Sequence, residues 1–466
     1  MDTKALRQKI LDLAIHGKLV PQDPNDEPAS VLLERIRAEK ERLIKEGKIK
    51  KGKKSAKTSD KPHYPFELPK GWEWTTLGEI SNYGINTSVK VEEIDDNNWV
   101  LELEDIEKDS AKLIQKLSKN KREIKGTRHK FYKGNVLYSK LRTYLNKVLI
   151  ASEDGYCTTE IMPFDTYGIL SNEYICHVLR SSYFLDYTLQ CGYGVKMPRL
   201  STTDACNGVI PLPPLHEQYR IVKEIKRWFT LISMIEKEKD NLRETIKQAK
   251  AKVLDLAIHG KLVPQNPNDK PAVELLKRIN PKAEIISDNG HYQKLPDGWC
   301  LTILGSIGTW QSGATPSRLR KDYYGGNIPW LKTGDLNDGI ITNIPEFITE
   351  KALEETSVKL NPTDSILIAM YGATIGKIGI LSFPATTNQA CCACLDYKID
   401  KMYIFYFLLS NRINFVSMGG GGAQPNISKE KIVNTTFPLP PLAEQKRIVS
   451  KIEELFHQLN MIEESL

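Results

Sequence analysis

The sequence predicts an α+β fold in which two globular α/β regions are joined by two long antiparallel coiled-coil helices. It also predicts that the chain is a circularly permuted repeat with pseudo-two-fold symmetry. Three observations support this prediction: segments that occur twice in the 466 residues, the order of these segments, and a heptad pattern of apolar residues outside the globular regions.

Two of the repeated segments are nearly identical in their two copies. PLPPLHEQYRIVKEI at 211–225 returns as PLPPLAEQKRIVSKI at 438–452, with eleven of fifteen positions identical. LDLAIHGKLVPQDPNDEPA at 11–29 returns as LDLAIHGKLVPQNPNDKPA at 254–272, with 17 of 19 positions identical. Repeats this close indicate an internal duplication.

The third repeated segment marks the start of each globular region. LPKGWEWTTLG at 68–78 returns as LPDGWCLTILG at 295–305. Before this segment the first copy has 16 more residues than the second, and the lysine-rich stretch KEGKIKKGKKSAK (45–57) lies there. We interpret this stretch as a solvated linker, with contact to the phosphates of a nucleic acid as the alternative.

The order of the segments indicates circular permutation. The C-terminal helical pattern stops at Leu466, which corresponds to Lys239, and the N-terminal pattern begins at Met1, which corresponds to Glu244. The two ends of the chain together therefore repeat what residues 215–263 contain alone. If both copies fold alike, the termini lie close together and the molecule has approximate two-fold symmetry.

The segments outside the globular regions form long amphipathic helices. A central helix of about 42 residues would span roughly 60 Å. Paired prolines precede two of the helices, and Glu217 and Glu444 suit the positive ends that follow. An apolar stripe at heptad spacing requires a partner helix, so the N- and C-terminal helices laid end to end should pair with the central one. The stripe consists of Ile221, Ile225, Trp228, Ile232, Ile235, Leu242, Ile246, Ala249, Val253 and Leu256, then Ile448, Ile452, Leu455, Leu459, Ile462 and Leu466, and finally Leu6, Ile10 and Leu13.

These patterns divide the chain into five parts. The globular regions contain short β-rich runs and helices whose aromatic residues should belong to the core, for example NEYICHVLRSSYFLDYTL and KMYIFYFLLSNRINFV. The long helices are nearly identical and the globular regions are not, which favours one scaffold that carries two different recognition surfaces. The predicted parts are an N-terminal helix with a basic linker (1–64), globular regions at 65–214 and 295–441, a central helical spacer (215–294) and a C-terminal helix (442–466).

Composition narrows the class of protein. No run of 18 apolar residues and no signal-peptide core occur, so we expect a cytoplasmic chain without a membrane partner. The net charge of +7 is compatible with nucleic-acid binding but does not require it. Cys391, Cys392 and Cys394 lie in an apolar stretch, which favours a strand of buried thiols over a metal site.

The search for catalytic motifs argues against an enzyme. YGATIGKIG at 371–379 has the wrong spacing for a phosphate-binding loop and lacks a Ser or Thr after its lysine. His16 and His259 end their helices, where His followed by Gly is a favourable C-terminal pair, so we interpret them as structural caps. We therefore expect neither a catalytic residue nor a bound metal in this chain.

Several motifs together resemble the specificity subunit of type I restriction–modification systems. They are LPxGW, PLPPLxEQxRIV and AIHGKLVPQ in both copies, with GATPSR, IPWLKTGDL, YGATIGK, TTNQAC and GGAQPNIS in the second globular region. The resemblance covers essentially the whole chain. The first globular region departs from the family pattern, because LRTYLNKV (141–148) stands where the second has YGATIGKI.

The resemblance implies a function and partners. The globular regions would be target-recognition domains that each read half of an asymmetric, bipartite site on double-stranded DNA. The helices would set the gap and dock two methyltransferase subunits, and restriction or motor subunits would join through the complex. This chain would be non-catalytic and hold no cofactor, whereas its partners would use S-adenosylmethionine, ATP and Mg²⁺.

Candidate DNA-binding residues follow from the side chains that can reach base edges. Direct readout uses Arg, Lys, Asn, Gln, Ser and Thr at the groove, although some of these residues would contact only phosphates. Ahead of these segments, the sequence around Trp99 and Asp105 aligns with that around Trp330 and Asp335. The candidates are Lys140, Arg142, Tyr144, Asn146, Lys147, Lys196 and Arg199 in the first region, and Lys332, Thr333, Tyr371, Thr374, Lys377, Gln424 and Asn426 in the second.

Two other classes of function stay open from the sequence. One is a self-sufficient nuclease or methyltransferase with a degenerate motif, which should modify or cut DNA alone. The other is a stand-alone DNA-binding scaffold or regulator without modification partners. Extra exposed apolar residues on the long helices would favour docking of partners over this last alternative.

Overall fold

A computed structural model describes residues 2–47, 65–194, 196–286, 295–420 and 425–466. The chain divides into two compact units, 1–238 and 239–466, and the division falls within the central helix. Most of the predicted linker at 45–57 lies outside the described residues. Within the described residues, no helix is both long and apolar enough to cross a membrane.

The first unit combines helices with short strands. Its helices, up to the one that continues into the second unit, are α1 (Thr3–Ile15), α2 (Ala29–Lys45), α3 (Leu77–Ile80), α4 (Asn172–Arg180), α5 (Ser182–Cys191), α6 (Thr202–Asn207) and α7 (Leu215–Ile258). Its strands are β1 (Glu73–Thr76), β2 (Ser88–Lys90), β3 (Val100–Leu101), β4 (Thr127–Phe131), β5 (Val136–Ser139), β6 (Val148–Ile150), β7 (Gly155–Thr158), β8 (Ile161–Phe164) and β9 (Val209–Leu212).

The second unit has the same plan, with more strands in its sheets. Its further helices are α8 (Ala272–Ile279), α9 (Glu350–Glu355), α10 (Lys401–Ser410), α11 (Arg412–Met418), α12 (Lys429–Val433) and α13 (Leu442–Glu464). Its strands are β10 (Cys300–Ile303), β11 (Thr309–Ser312), β12 (Tyr324–Leu331), β13 (Gly339–Ile341), β14 (Phe347–Ile348), β15 (Leu360–Asn361), β16 (Ile366–Ala369), β17 (Ile378–Leu381), β18 (Ala385–Thr387), β19 (Cys391–Leu395) and β20 (Thr436–Leu439).

Each globular region opens and closes with one antiparallel strand pair in the same register. β1 pairs with β9 so that Glu73 faces Leu212, and β10 pairs with β20 so that Cys300 faces Leu439. Between these pairs, the first unit has sheets ordered β2-β4-β7-β3 and β6-β5-β8. The second unit has sheets ordered β11-β19-β16-β17-β13 and β14-β12-β18-β15. The predicted α+β class is confirmed.

The aromatic residues of the predicted internal helices lie in the core. Tyr174 and Phe184 in the first unit, and Tyr403 and Phe407 in the second, are almost fully buried. Each predicted helix is in fact two helices. Ser181 ends α4 in an extended conformation, and its hydroxyl accepts a hydrogen bond from the Phe184 amide, which starts α5. The triple-cysteine stretch forms the buried strand β19, as predicted.

The long helix α7 has 44 residues, about 66 Å at 1.5 Å per residue. In the first unit, Arg7 of α1 donates to Ser233 and forms a 2.9 Å ion pair with Glu236 of α7. In the second unit, Lys250 of α7 forms the equivalent pair with Glu463 of α13 at 2.8 Å. The same antiparallel contact is thus made from differently ordered pieces of chain, which confirms the permuted repeat.

The apolar stripe on α7 is only partly buried, and here the prediction is wrong in detail. Ile221, Ile225, Ile232 and Ile246 are buried, but the stripe residues Trp228, Ile235 and Leu242 are 38–39% exposed. A strict heptad stripe would face one partner along its whole length. Instead, the first part of α7 packs into the core of the first unit, and its last turns, with Leu254 and Ala257, pack into the core of the second.

A buried glutamate at the start of each long helix joins all three repeated segments. Glu217 accepts hydrogen bonds from the Trp72 indole at 3.0 Å and from the Gln22 amide at 3.1 Å. These partners belong to the LPxGW and HGKLVPQ segments. In the second unit, Glu444 accepts the equivalent hydrogen bonds from the Trp299 indole and the Gln265 amide, both at 3.0 Å. Burial raises the pKa of both glutamates, although the two donors and a nearby arginine oppose the shift.

The neighbours of this glutamate repeat as well. Gln218 accepts from the Ser171 amide and donates to the Pro213 carbonyl, while Arg220 pairs with Asp26 at 2.6 Å. The second unit makes the same contacts through Gln445, Asp400, Pro440, Arg447 and Asp269. The segment EQxR is therefore a structural joint, and its recurrence reflects the packing of helix against globular region.

The histidines behave as the predicted caps, while the segment after them differs from expectation. His16 and His259 each place Nδ1 2.7 Å from the carbonyl oxygen four residues earlier. After them, α2 is 17 residues long and its counterpart α8 only eight. Part of the extra chain in the first copy is therefore helix, and not linker alone.

Replacing Glu217 with alanine tests the joint. We expect Glu217→Ala to lower the free energy of unfolding by about 2 kcal/mol, because the buried Trp72 indole loses its acceptor. Glu444→Ala should do the same in the second unit, and Glu453→Ala, an exposed position on α13, should have little effect. Chemical denaturation gives the energies, and hydrogen exchange shows which unit opens. Equal stability of all three variants would contradict the role of the joint.

Candidate nucleic-acid interface

Two predicted segments meet in the first unit. The turn between β5 and β6 (140–147, the β5–β6 turn) is hydrogen-bonded to a loop near the end of the globular region (193–200, the closing loop). The Arg142 amide donates to the Pro198 carbonyl at 2.7 Å, and the Leu200 amide donates to the Lys140 carbonyl at 2.9 Å. The structure therefore places five candidates on the turn beside Lys196 and Arg199 on the loop.

The second unit builds the same arrangement. Its turn between β16 and β17 (370–377, the β16–β17 turn) is hydrogen-bonded to the segment around Asn426. The Gly372 amide donates to the Pro425 carbonyl at 2.8 Å, and the Ile427 amide donates to the Met370 carbonyl at 2.9 Å. Candidate Gln424 lies outside the described residues. Both units thus present one turn and one loop locked together by two backbone hydrogen bonds.

The two turns share a backbone conformation that their sequences conceal. Gly372 and Gly376 have φ angles of 63° and 77°. At the equivalent positions, Arg142 and Asn146 have φ angles of 51° and 52°. A residue with a side chain pays about 1–2 kcal/mol for this left-handed conformation. Strain of this kind is often retained at functional sites, so the arginine marks the β5–β6 turn as a place where a side chain serves a purpose.

Three first-unit candidates are already engaged within the protein. Asn146 is 2% exposed, and its amide donates to a backbone carbonyl at 3.2 Å. The Lys147 ammonium donates to the Leu103 carbonyl at 2.7 Å, and burial lowers its pKa. Arg199 forms an ion pair with Glu160 at 3.0 Å. In this conformation Asn146 cannot reach a ligand, and Arg199 would share its guanidinium with Glu160.

The remaining first-unit candidates are accessible. Lys196 is exposed, Tyr144 is 45% exposed, and Lys140 and Arg142 are half-buried. The Nε atom of Arg142 is shielded from solvent and has no hydrogen-bond partner among the described residues. A guanidinium at the mouth of a turn, without an internal acceptor, can offer its donors to a ligand.

In the second unit the accessible candidates are less basic. Tyr371 is 42% exposed and Asn426 is exposed, while Lys377 and Thr374 are half-buried. The Thr374 hydroxyl donates to the Tyr371 carbonyl at 2.8 Å and so supports the turn. Hydrogen-bonding groups therefore replace the first unit's arginine at this surface.

The candidates Lys332 and Thr333 lie on a second turn of the second unit. The first unit has an equivalent turn that begins at Glu102. The amides of Lys332 and Glu102 each donate to an aspartate carboxylate three residues later, Asp335 or Asp105, at 2.8 Å. Trp330 pairs with Thr386 in the second unit and Val100 pairs with Tyr156 in the first, so Val100, not Trp99, is the equivalent of Trp330. The alignment of Trp99 with Trp330 is therefore wrong by one residue. Val100 precedes Glu102 by two positions, just as Trp330 precedes Lys332.

This correction reveals a residue that sequence reasoning missed. Glu102 stands where the second unit has Lys332, so the two units carry opposite charges at one position. Glu102 lies 2.8 Å from Arg128, and Lys332 lies 2.7 Å from Glu346. Burial raises the pKa of Glu102, against the effect of the arginines nearby. Lys147 links this turn to the β5–β6 turn, so both belong to one surface of the first unit.

Across the described ranges, no three His, Cys, Asp or Glu side chains form a group that could hold an ion. The surfaces found instead are turns that carry hydrogen-bonding and charged side chains on short, firmly packed strands. Such a paired arrangement fits recognition of a ligand by two separate readers.

Comparison with known proteins identifies the family. The family described as "Type I restriction modification DNA specificity domain" matches residues 69–244 and 296–466, and the chain belongs to it. The EcoAI specificity subunit of Escherichia coli is 31% identical, with 98% of this chain and 90% of that protein covered. The EcoEI specificity subunit of the same organism is 28% identical, with coverage of 99% and 90%.

Solved structures agree with the fold. The HsdS subunit from Thermoanaerobacter tengcongensis has a TM-score of 0.51 at 18% identity, over 86% of this chain and 93% of that one. A chain from a study of assembly and conformational transition of the type I R-M system has a TM-score of 0.60 at 19% identity, with coverage of 86% and 94%. The predicted family is confirmed, and as a specificity subunit the chain is the non-catalytic kind of subunit.

Replacing Arg142 with glycine tests the equivalence of the two turns. Relief of left-handed strain, about 1 kcal/mol, should offset the added freedom of the unfolded chain, so stability should change by less than about 1 kcal/mol. Loss of the guanidinium should weaken specific DNA binding about tenfold or more. Thermal unfolding and a DNA-binding assay of the assembled complex measure the two effects.

The matched control is Gly372→Ala in the second unit. No atom lies within 4 Å of the added Cβ, so only backbone strain should appear, at about 1 kcal/mol. If Arg142→Gly unfolds the turn, or if it leaves DNA binding unchanged, the assignment of Arg142 is wrong.

Proposed function

We propose that this chain reads an asymmetric, bipartite site on double-stranded DNA, one half with each unit. The observation that carries this proposal is the repeated turn with different side chains. Arg142 and Tyr144 stand where the second unit has Gly372 and Thr374, on the same backbone. A shared frame with unlike donors and acceptors favours two unlike half-sites separated by a gap without sequence preference.

Charge supports different preferences in the two halves. Glu102 can accept a hydrogen bond from the amino group of cytosine, whereas Lys332 can donate to the acceptors of guanine. Both side chains have an internal partner of opposite sign, which would hold them in place until DNA arrives. The two units would therefore differ in the bases they select and not only in affinity.

Exposed apolar side chains on the long helices support docking of partner subunits. On α7, Trp228, Leu231 and Met234 are 39%, 41% and 59% exposed. On α13, Met461 and Ile462 are 58% and 45% exposed. Clusters of exposed apolar residues mark interaction surfaces. This pattern favours the modification complex over a stand-alone DNA-binding scaffold or regulator, for which polar outer faces would suffice.

The chemistry would belong to those partners. In the proposed complex, two methyltransferase subunits bring S-adenosylmethionine, and restriction or motor subunits bring ATP and Mg²⁺. This chain holds no cofactor in the proposal. Its residues bind and orient the duplex, and its helices set the distance between the half-sites.

A methylation map tests the proposal. The chain is expressed with the methyltransferase subunit of its system in a host without DNA methylation, and modified bases are read by long-read sequencing. We expect one asymmetric motif with two short halves and a fixed gap. Absence of methylation, with both proteins soluble and no complex between them, would overturn the proposal and leave the lone DNA-binding scaffold.

Substitution at the charged turn tests the assignment of each half. Lys332→Met should relax one position in one half of the motif, with a loss of about 1–3 kcal/mol of discrimination against the wrong base. Glu102→Gln should relax one position in the other half and leave the first intact. Methylation maps of the two variants measure this. If either variant alters both halves, or neither alters any, these residues do not read bases.

A further inference from the structure

A cavity in the second unit is lined by basic side chains that the first unit, over its described residues, does not share. The cavity of about 470 Å³ lies between the start of α8 and the start of α13. Lys270, Arg278 and Lys446 line it with a single carboxylate, Glu274. Among the described residues none of the three cations forms an ion pair. Leu275, which is buried, and the partly buried Leu442 add apolar side chains to the lining.

In the first unit, the charges of the residues equivalent to Lys270 and Arg278 cancel. Glu27 corresponds to Lys270 and Arg35 to Arg278, and these two first-unit residues form an ion pair at 2.7 Å. Tyr219 stands where the second unit has Lys446. Both units fold this region alike, because the helices that begin here, α2 and α8, each follow a proline in the same conformation. The difference between the units is therefore one of side chains.

One of the few sequence differences between the repeated segments falls at this cavity. The segments 11–29 and 254–272 differ at only two positions, Asp23 against Asn266 and Glu27 against Lys270. Both differences remove a carboxylate from the second copy. Of these two positions Lys270 lines the cavity, where it reverses the charge of Glu27. Although Glu274 adds a carboxylate where the first unit has Val31, the three cations leave the cavity lining with an excess of positive charge.

We propose that this cavity binds an acidic segment of a partner subunit, and that the first unit lacks the site. Unpaired cations beside two leucines suit a carboxylate-bearing segment that also contributes an apolar side chain. Phosphates of a duplex would contact the cations but gain nothing from the leucines. The inference rests on the proposed function, since it assigns an attachment point for a partner that the long helices are proposed to dock.

The test gives the second unit the side chains of the first. Lys270→Glu recreates with Arg278 the ion pair seen between Glu27 and Arg35, so the variant should fold. Lys446→Tyr is a second such variant. The full-length proteins are titrated with the purified methyltransferase subunit at low and high salt. We expect each variant to bind at least about tenfold more weakly at low salt and to lose most of the salt dependence.

A matched control lies in the first unit. Glu27→Gln breaks the internal ion pair without reversing a charge, and it should leave the affinity for the methyltransferase subunit unchanged. A photo-crosslinking residue at Ala443, which lines the cavity, should attach to an acidic stretch of that subunit, whereas the same residue at His216 in the first unit should not.

The outcomes separate this inference from the proposed function. If the wild-type chain forms the complex and Lys270→Glu binds equally well, the inference is overturned and the proposed docking stands. If the wild-type chain forms no complex, both fall. If the variants lose affinity for DNA but keep the methyltransferase subunit, the cavity contacts DNA and the inference is wrong.

Discussion

The structure depends on a buried carboxylate at the start of each long helix. Glu217 and Glu444 hold the tryptophan of one repeated segment and the glutamine of another, so helix, loop and globular region meet at one side chain. A carboxylate removed from water is costly unless donors surround it. Each of the three segments therefore constrains the others, which explains why they recur together in both copies.

This joint leaves the rest of each globular region free to differ. The closing strand pairs keep one register in both units, and the turns beyond them keep one backbone. On that frame the first unit carries Arg142 in a conformation for which the second uses glycine. Variation is thereby confined to the side chains that a ligand would meet, and its cost in strain is borne locally.

Sequence reasoning recovered what depends on local pattern and internal repetition. The permutation, the length of α7, the β-rich runs of the globular regions and the caps at His16 and His259 all follow from such signals. It could not recover features set by contacts between distant segments. Three such features are the exposure of Trp228, the break at Ser181 and the match of Glu102 with Lys332. They depend on packing and strand pairing, about which the local spacing of apolar residues carries no information. Asn146 shows the same limit, since its burial comes from a helix end far along the chain.

The most direct test of this account is the methylation motif of a chain in which the globular region of the second unit also replaces that of the first. Residues 300–439 are grafted in place of 73–212, so that each junction falls on a strand end of identical register. The account predicts a stable complex that methylates a site with two identical halves, each matching the half read by the second unit. A motif that keeps its original asymmetry would show that the globular regions do not select the half-sites.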